Sequence, residues 1–518
     1  MFVSTTKNDI STEKTHQVQP YSNWQSFLFW GVVLALIAIA VGMRLYHLGV
    51  PFDRDGYDEG VYWQTLRSMS AGNILYQQIF YSQPPFFMLS TFPGYILFGS
   101  SLWSARLGIA LVSLLGLLGA FLLGKALSGR LGAIAAMLLV IANPLYLAQS
   151  QTIEAEVSST ALSLLAIGLV YLWREHPEGT RGLFYAALTG ITITLSILCK
   201  LLSVSVLVPV ALMLAARFWQ IWHKQSGTRL ISLLPIFVGI TTCILTFLVL
   251  LLPYSGSYQA MLQSVITFHS TAAQVYSGSQ QANFSIIQNA LTSFLTFTAF
   301  FGMVAAFIRR DWRVVPLIAW FFATLYLLWH QVPLFQHHLI ALTPPLIALA
   351  IMGIDKQSLQ SKETSSNVIP RVTVYLAWIA IALIMVTIII NIQQDRLYYR
   401  TAIAASNSGF TRLESKVATD LRLAITPNQL VVTDAQFIAG LANRSTPPSL
   451  VDTSAVRITS KFLTQSQLES ATSQSNVHAV LFFTGRFYLP NLVGYHSWVA
   501  QHFHLLHNYG AGRELWVR

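Results

Sequence analysis

Four carboxylates and one lysine stand out by where they fall in the chain. Asp58 and Glu59 follow the first long apolar run, Glu154 and Glu156 interrupt an otherwise charge-free stretch, and Lys200 is the only charge between Arg181 and Arg217. Ionisable groups beside membrane-embedded segments are expensive and mark sites by default. A pair of carboxylates can supply a general base and stabilise positive charge developing on a sugar ring. A lysine can hold the phosphate of a leaving group. Together they fit glycosyl transfer from a lipid-linked phosphosugar, and they would equally fit a cation pathway. Each residue also has a plainer reading. Asp58 and Glu59 could cap a surface helix, Glu154 and Glu156 could be solvated turn residues, and Lys200 could snorkel to an interface. His269, His337 and His338 stand near the same expected face, as binding groups or as ordinary interfacial residues.

Those residues need a scaffold, and composition says which kind. Of 518 residues 54% are hydrophobic and only 10% charged, whereas a soluble chain carries roughly 25% charged residues. That little charge cannot cover several soluble domains, so the chain reads as a polytopic membrane protein. The two cysteines, Cys199 and Cys243, lie in apolar runs and give neither a disulfide framework nor a thiolate metal cage. The net charge of +11 raises nucleic acid as a partner. Its distribution excludes that reading, because the basic residues gather in alternate loops.

Eleven apolar segments are candidate spans: 24–44, 103–124, 131–150, 157–173, 182–199, 201–216, 230–253, 285–308, 314–330, 338–354 and 372–392. With a cytoplasmic N-terminus, every inside segment is basic (Lys125 with Arg130, Arg309 with Arg310 and Arg313, Lys356 with Lys362, among others). The outside turns 150–157, 254–284 and 331–337 carry no Lys or Arg. The first 20 residues are polar and no cleavable leader is evident, so 24–44 reads as an uncleaved first helix. The segment Pro84–Gly99 is too short and proline-rich to span; it is expected as a short or re-entrant helix in a first outer loop of about 46–102. The expected organisation is a cytoplasmic tail (1–23), a membrane body (24–392) and a small extracytoplasmic α/β domain (393–518). In that domain strands are expected at Gln429-Leu-Val-Val-Thr and Val477-His-Ala-Val-Leu-Phe-Phe, and helices around 410–425 and 463–473. It has no glycine-rich phosphate loop, so no nucleotide is assigned to it.

The ordered motifs carry a resemblance. Asp55-Gly-Tyr-Asp-Glu-Gly-Val-Tyr-Trp, Tyr81-Ser-Gln-Pro-Pro-Phe-Phe and Phe98-Gly-Ser-Ser-Leu-Trp-Ser-Ala-Arg-Leu come first. Ser150-Gln-Thr-Ile-Glu-Ala-Glu, Leu195-Ser-Ile-Leu-Cys-Lys-Leu and His337-His-Leu-Ile-Ala-Leu-Thr-Pro-Pro-Leu follow. This series, over roughly 24–354, resembles the bacterial protein O-mannosyltransferase and aminoarabinose transferase superfamily, GT-C fold glycosyltransferases of family 39 type. The resemblance implies an all-α membrane bundle with juxtamembrane helices and a catalytic site on the outer face of the cytoplasmic membrane. Asp58 matches the first-loop acid, a catalytic base or acceptor-orienting carboxylate, with Glu59 as its companion. Glu156 matches the second acid better than Glu154, being five residues after Gln151, where the family often has arginine. Lys200 would help hold the lipid phosphate. The donor implied is a polyprenyl-phosphate monosaccharide, attacked with inversion by a hydroxyl of a protein, glycan or lipid acceptor.

Two departures narrow this. Ser82 and Gln83 stand where aminoarabinose transferases have a Glu-Lys pair, and Gln151 replaces the arginine. A phosphate contact and a metal ligand are thereby lost, which argues against that family's lipid A acceptor. A divalent metal stays open, because acids and histidines share one face; no metal ligands are assigned. Tyr57, Tyr81, Gln83, Glu154 and the three histidines complete the candidate substrate-binding set, with Tyr57 and Tyr81 as an interfacial aromatic platform. A transporter or flippase of lipid-linked saccharides is the alternative function. It calls for internal repeats and ionisable groups at mid-depth, and neither is evident.

Overall fold

The computed structural model describes residues 23–52, 57–223, 229–354 and 368–518. The N-terminal tail, the acids Asp53 and Asp55 with Arg54, and the basic residues Lys224, Lys356 and Lys362 lie outside the described residues. Apolar chain in lipid must satisfy its own backbone, and only helices do so segment by segment. Accordingly the body is built from α1 (Asn23–Leu45), α2 (Asp58–Ser70), α3 (Phe86–Leu97), α4 (Leu102–Ile141), α5 (Pro144–Gln149), α6 (Ala155–Glu175) and α7 (Gly179–Cys199). It continues with α8 (Leu207–His223), α9 (Arg229–Leu251), α10 (Tyr258–Leu262), α11 (Phe268–Val275), α12 (Gln280–Leu291), α13 (Phe294–Ile308), α14 (Val314–His330), α15 (Thr343–Ile351) and α16 (Val368–Ser406). Among the described residues seven helices are long and apolar enough to cross a membrane, with α4 counted once, and the bent pair α12–α13 would make an eighth.

Each of the eleven expected segments is helical, with two differences. The chain reverses inside α4 at Ser128–Gly129, where Gly129 takes a left-handed φ of 70°. The two arms press so closely that a Cβ on Gly124 would meet the Gly132 carbonyl at 2.3 Å. The second arm stops at Ile141, earlier than expected, because Asn143 caps α5 by accepting the Tyr146 N–H. The segment expected as one span, 285–308, is two helices meeting at 72°. Ser293 leaves the helix there and caps α13 through the Thr296 N–H. Pro84–Gly99 forms the short helix α3, as its length suggested.

The C-terminal part has the expected α/β build. Strands β1 (Leu430–Thr433), β2 (Val477–Phe482), β3 (His504–Gly510) and β4 (Arg513–Val517) form one sheet in the order β1-β2-β4-β3. β1 and β2 are parallel, and the other pairs are antiparallel. Two apolar cores form, one around Val432, Val480 and Phe482 and the other around Val431, Ala479 and Leu481. Alternate residues of a strand face opposite sides of a sheet, so each face has its own core. α16 runs unbroken past residue 393 to Ser406, so a single helix links the body to this domain.

A second junction matters more for the site. α2 crosses the helix Gln436–Leu441, and each contributes a glycine to the crossing. A Cβ on Gly60 would meet the Phe437 nitrogen at 2.4 Å, and one on Gly440 would meet the Trp63 ring at 2.5 Å. Gln64 adds hydrogen bonds to the carbonyls of Gln436 and Arg444. The first loop is thereby locked to the C-terminal domain.

Within that domain Glu414 sits on the buried face of the helix Gly409–Ala424, and burial pushes its carboxyl up to about 7. The folded protein holds this proton more tightly than the unfolded chain, whose ordinary value is 4.5. Stability is therefore lost as pH rises from about 4.5 to 7, by on the order of 2–3 kcal/mol, and changes no further above. Glu414→Gln is expected to raise the melting temperature at pH 8 and barely at pH 5. An equal shift at both values would rule out the titration.

Candidate functional site

Asp58 is the first residue of α2, half-buried, and it faces a cavity of about 880 Å³. Its neighbour Glu59 points the other way, 0% exposed, into a two-pronged pair with Arg106. The Nε–Oε1 and Nη2–Oε2 distances are both 2.6 Å. Glu59 Oε1 also accepts the Ile153 N–H at 3.2 Å. Arg106 donates further to the carbonyls of Leu48, Val50 and Phe52, which lead into the first loop. Every oxygen and most donors of this buried pair are thus occupied, as a buried ion pair requires.

The second acidic pair opens α6. Glu154 is its N-cap residue, yet its carboxylate makes no cap hydrogen bond; Glu156 lies in the first turn. They are 1% and 3% exposed, which excludes the solvated-turn reading. Lys200 ends α7, where the backbone turns extended before the 3₁₀ turn Leu201–Val206. Its Nζ bonds Glu156 Oε1, so it does not snorkel outward. His337 and His338 come from the 3₁₀ turn Gln336–Leu342. His337 bridges both acids, with Nδ1 3.7 Å from Glu154 Oε1 and Nε2 3.5 Å from Glu156 Oε1. His338 Nε2 is 3.6 Å from Glu156 Oε1, while its Nδ1 accepts the Phe335 N–H. A neutral ring that accepts at Nδ1 carries its hydrogen on Nε2, facing the carboxylate.

Tyr62, one turn after Asp58, reports the same grouping. Burial first, then the charges of Asp58, Glu156 and Glu154, hold its phenol well above the ordinary range. It stays neutral.

The cavity gathers most of the candidate residues. Tyr57, Asp58, Gln83, Lys200, His269, His337 and His338 all line it. Glu154 and Glu156 sit directly behind His337. Glu59 and Tyr81 lie off the wall: Glu59 is turned to Arg106, and Tyr81 is 2% exposed, edge-on behind Tyr62. Tyr57 is a strut as well as wall, its hydroxyl accepting the Thr453 N–H at 2.8 Å. His269 bonds the Ser82 carbonyl through Nε2 at 2.9 Å, from α11 just after the π-turn Gln263–Thr267. Gln151 caps the end of α1, its Nε2 within hydrogen-bond distance of the carbonyls of Met43, Arg44 and Tyr46.

Two sets of residues could hold a metal ion, each with ligand atoms within 4.8 Å of one another: Glu156, His337 and His338, or Asp58, Glu154 and His337. They share His337, whose Nδ1 faces Glu154 and whose Nε2 faces Glu156. In the first set, the Lys200 ammonium competes for Glu156 Oε1.

The far wall of the cavity is not legible in the sequence. Asp452, Ser454, Ala455, Val456 and Arg486 of the C-terminal domain close the cavity. Nothing in their local sequence marks them.

Comparison with known proteins agrees with this architecture. The family model described as dolichyl-phosphate-mannose-protein mannosyltransferase matches residues 82–252. No curated protein sequence matches the chain. Among solved structures, ArnT from Cupriavidus metallidurans in the apo state superimposes with a TM-score of 0.59 at 14% identity, covering 94% of this chain and 98% of that one. ArnT bound to undecaprenyl phosphate gives 0.57 at 15% identity over the same shares, 94% and 98%. The oligosaccharyltransferase of Archaeoglobus fulgidus gives 0.51 at 16% identity, over 92% of this chain and 72% of its own. The resemblance read from the motifs therefore holds: the chain is a multi-pass membrane protein with the GT-C glycosyltransferase fold, similar over residues 82–252 to the dolichyl-phosphate-mannose-protein mannosyltransferases.

Proposed function

We propose that the chain is an inverting glycosyltransferase that moves a monosaccharide from a polyprenyl-phosphate donor to an acceptor hydroxyl. The observation that carries this is the cavity itself, where Asp58 stands at the start of a locked helix and faces a wall bearing Lys200 and two histidines. Asp58 takes the proton of the acceptor hydroxyl as its oxygen attacks the anomeric carbon. The bond from that carbon to the phosphate oxygen breaks on the opposite face, and the electron pair leaves with the polyprenyl phosphate. Lys200 and the histidines steady that anion. Glu156 orients Lys200, and Glu154 orients His337. Glu59 holds the loop that presents Asp58, without touching substrate.

The lipid part of the donor has a path. Leu201 and Leu202 line the cavity beside Lys200. Beyond them Val204, Leu207 and Val208 continue an exposed apolar strip along the same turn and α8. A polyprenyl tail on that strip keeps its phosphate at Lys200. The related ArnT structure is described as bound to undecaprenyl phosphate, which supports the donor class. Charge distribution in the loops supports a cytoplasmic N-terminus, with the cavity and the C-terminal domain on the outer side of the cytoplasmic membrane.

The stereochemistry gives a test. Transfer from a polyprenyl-phosphate monosaccharide of known anomeric configuration should give product of the opposite configuration, read by NMR or by anomer-specific glycosidases. Retention would remove direct displacement and require a covalent glycosyl carboxylate.

A further inference from the structure

The cavity has two strongly basic side chains among the described residues, and they are used very differently. Lys200 is paired with Glu156. Arg486, which comes from the C-terminal domain, has no carboxylate within ion-pairing distance and donates no side-chain hydrogen bond among the described residues. Its guanidinium carbon lies over the Tyr57 ring, 3.7 Å from the ring centroid. Stacking satisfies a face of the guanidinium and leaves the five N–H donors of its edge available.

This pose is fixed from behind. Asp434, 0% exposed, accepts the backbone N–H of Phe483, Thr484 and Phe487, which clamps the turn carrying Arg486. Gly485 supplies the left-handed residue the turn needs, with φ 86°. Phe487, also 0% exposed, anchors the other side. Tyr57 is held by Thr453 of the same domain. Asp452, the acid on this wall, accepts the Ser454 N–H at 2.7 Å. Arg457, nearby in the same domain, is already bound to the Ser449 and Asp452 carbonyls. An arginine held rigidly with free donors at a cavity wall is built for a planar or tetrahedral oxyanion.

We propose that Arg486 is an oxyanion-binding residue of the active site, so that the C-terminal domain takes part in substrate recognition. The oxyanion is a phosphate or carboxylate, carried by the lipid donor or by the acceptor. This role rests on the glycosyltransferase reading above, and it supplies a cation in a cavity whose lysine is already matched by a carboxylate.

The test uses the purified full-length chain in detergent, with undecaprenyl phosphate and undecaprenol as paired probes, for wild type, Arg486→Gln and Arg486→Lys. Melting temperatures confirm that the variants fold. Wild type should bind undecaprenyl phosphate at least about tenfold more tightly than undecaprenol. If Arg486→Gln loses that preference and Arg486→Lys keeps part of it, the oxyanion is the carrier phosphate. If the preference survives in Arg486→Gln, acceptor titration with a membrane extract decides. A rise of about tenfold or more in the extract needed for half-maximal release of polyprenyl phosphate places the oxyanion on the acceptor. Wild-type behaviour of Arg486→Gln in both assays overturns the proposal and leaves Arg486 a staple for Tyr57. Equal binding of the two lipids by wild type overturns the donor reading itself, and this role with it.

Discussion

Asp58→Asn is expected to reduce sugar transfer by about 10²–10⁴-fold while leaving the melting temperature and donor affinity nearly unchanged. The substitution keeps the shape of the side chain and removes its charge and its capacity to take a proton. Asparagine is also tolerated at the start of a helix, so α2 should keep its crossing with the helix Gln436–Leu441. The Gly60–Phe437 and Gly440–Trp63 contacts that hold this crossing do not involve the carboxylate. A loss in kcat without a change in donor KM, measured as polyprenyl phosphate released per minute, is the expected signature. A variant with full kcat would remove Asp58 from the proton transfer and leave it as a helix-start residue.

Changes at Glu59 or Arg106 are expected to act through stability instead. Both side chains are 0% exposed and meet through two contacts of 2.6 Å. Removing one member leaves a buried, uncompensated charge, at a cost of about 3–5 kcal/mol. Glu59→Ala and Arg106→Met should each lower the melting temperature markedly. The double variant should lose less than the sum, because no lone charge is then left buried. Thermal unfolding of the purified proteins in one detergent checks this. Glu59→Gln with a normal melting temperature and no transfer would instead return Glu59 to the chemistry.

How far the sequence reached depended on the range of the forces involved. Membrane burial is a local, compositional demand, so the apolar segments and their helical state were legible. The isolated charges Glu154, Glu156 and Lys200 were legible for the same reason, since each stood out against an apolar background. Their grouping with Asp58 rested on the expected topology; in the structure Glu156 meets Lys200 and His337, and Asp58, Lys200 and His337 line one cavity. Glu59 was grouped with Asp58 by adjacency. One step along a helix turns a side chain by about 100°, and that step takes it from the cavity to Arg106. The break at Thr292–Ser293 was hidden because apolar sequence continues on both sides of it. Arg486 was the hardest to see. Its place depends on contacts with Tyr57 more than 400 residues away in sequence, and it stands in a polar domain where a single arginine carries no signal.

The most direct test of the central claim is release of free polyprenyl phosphate by purified protein in liposomes, across a panel of polyprenyl-phosphate monosaccharides with an acceptor-containing membrane extract. Wild type is expected to release the carrier phosphate from at least one donor, one molecule per sugar transferred, and Asp58→Asn is expected to release none. Intact donor moved between leaflets without release would contradict it and identify a lipid-linked saccharide transporter.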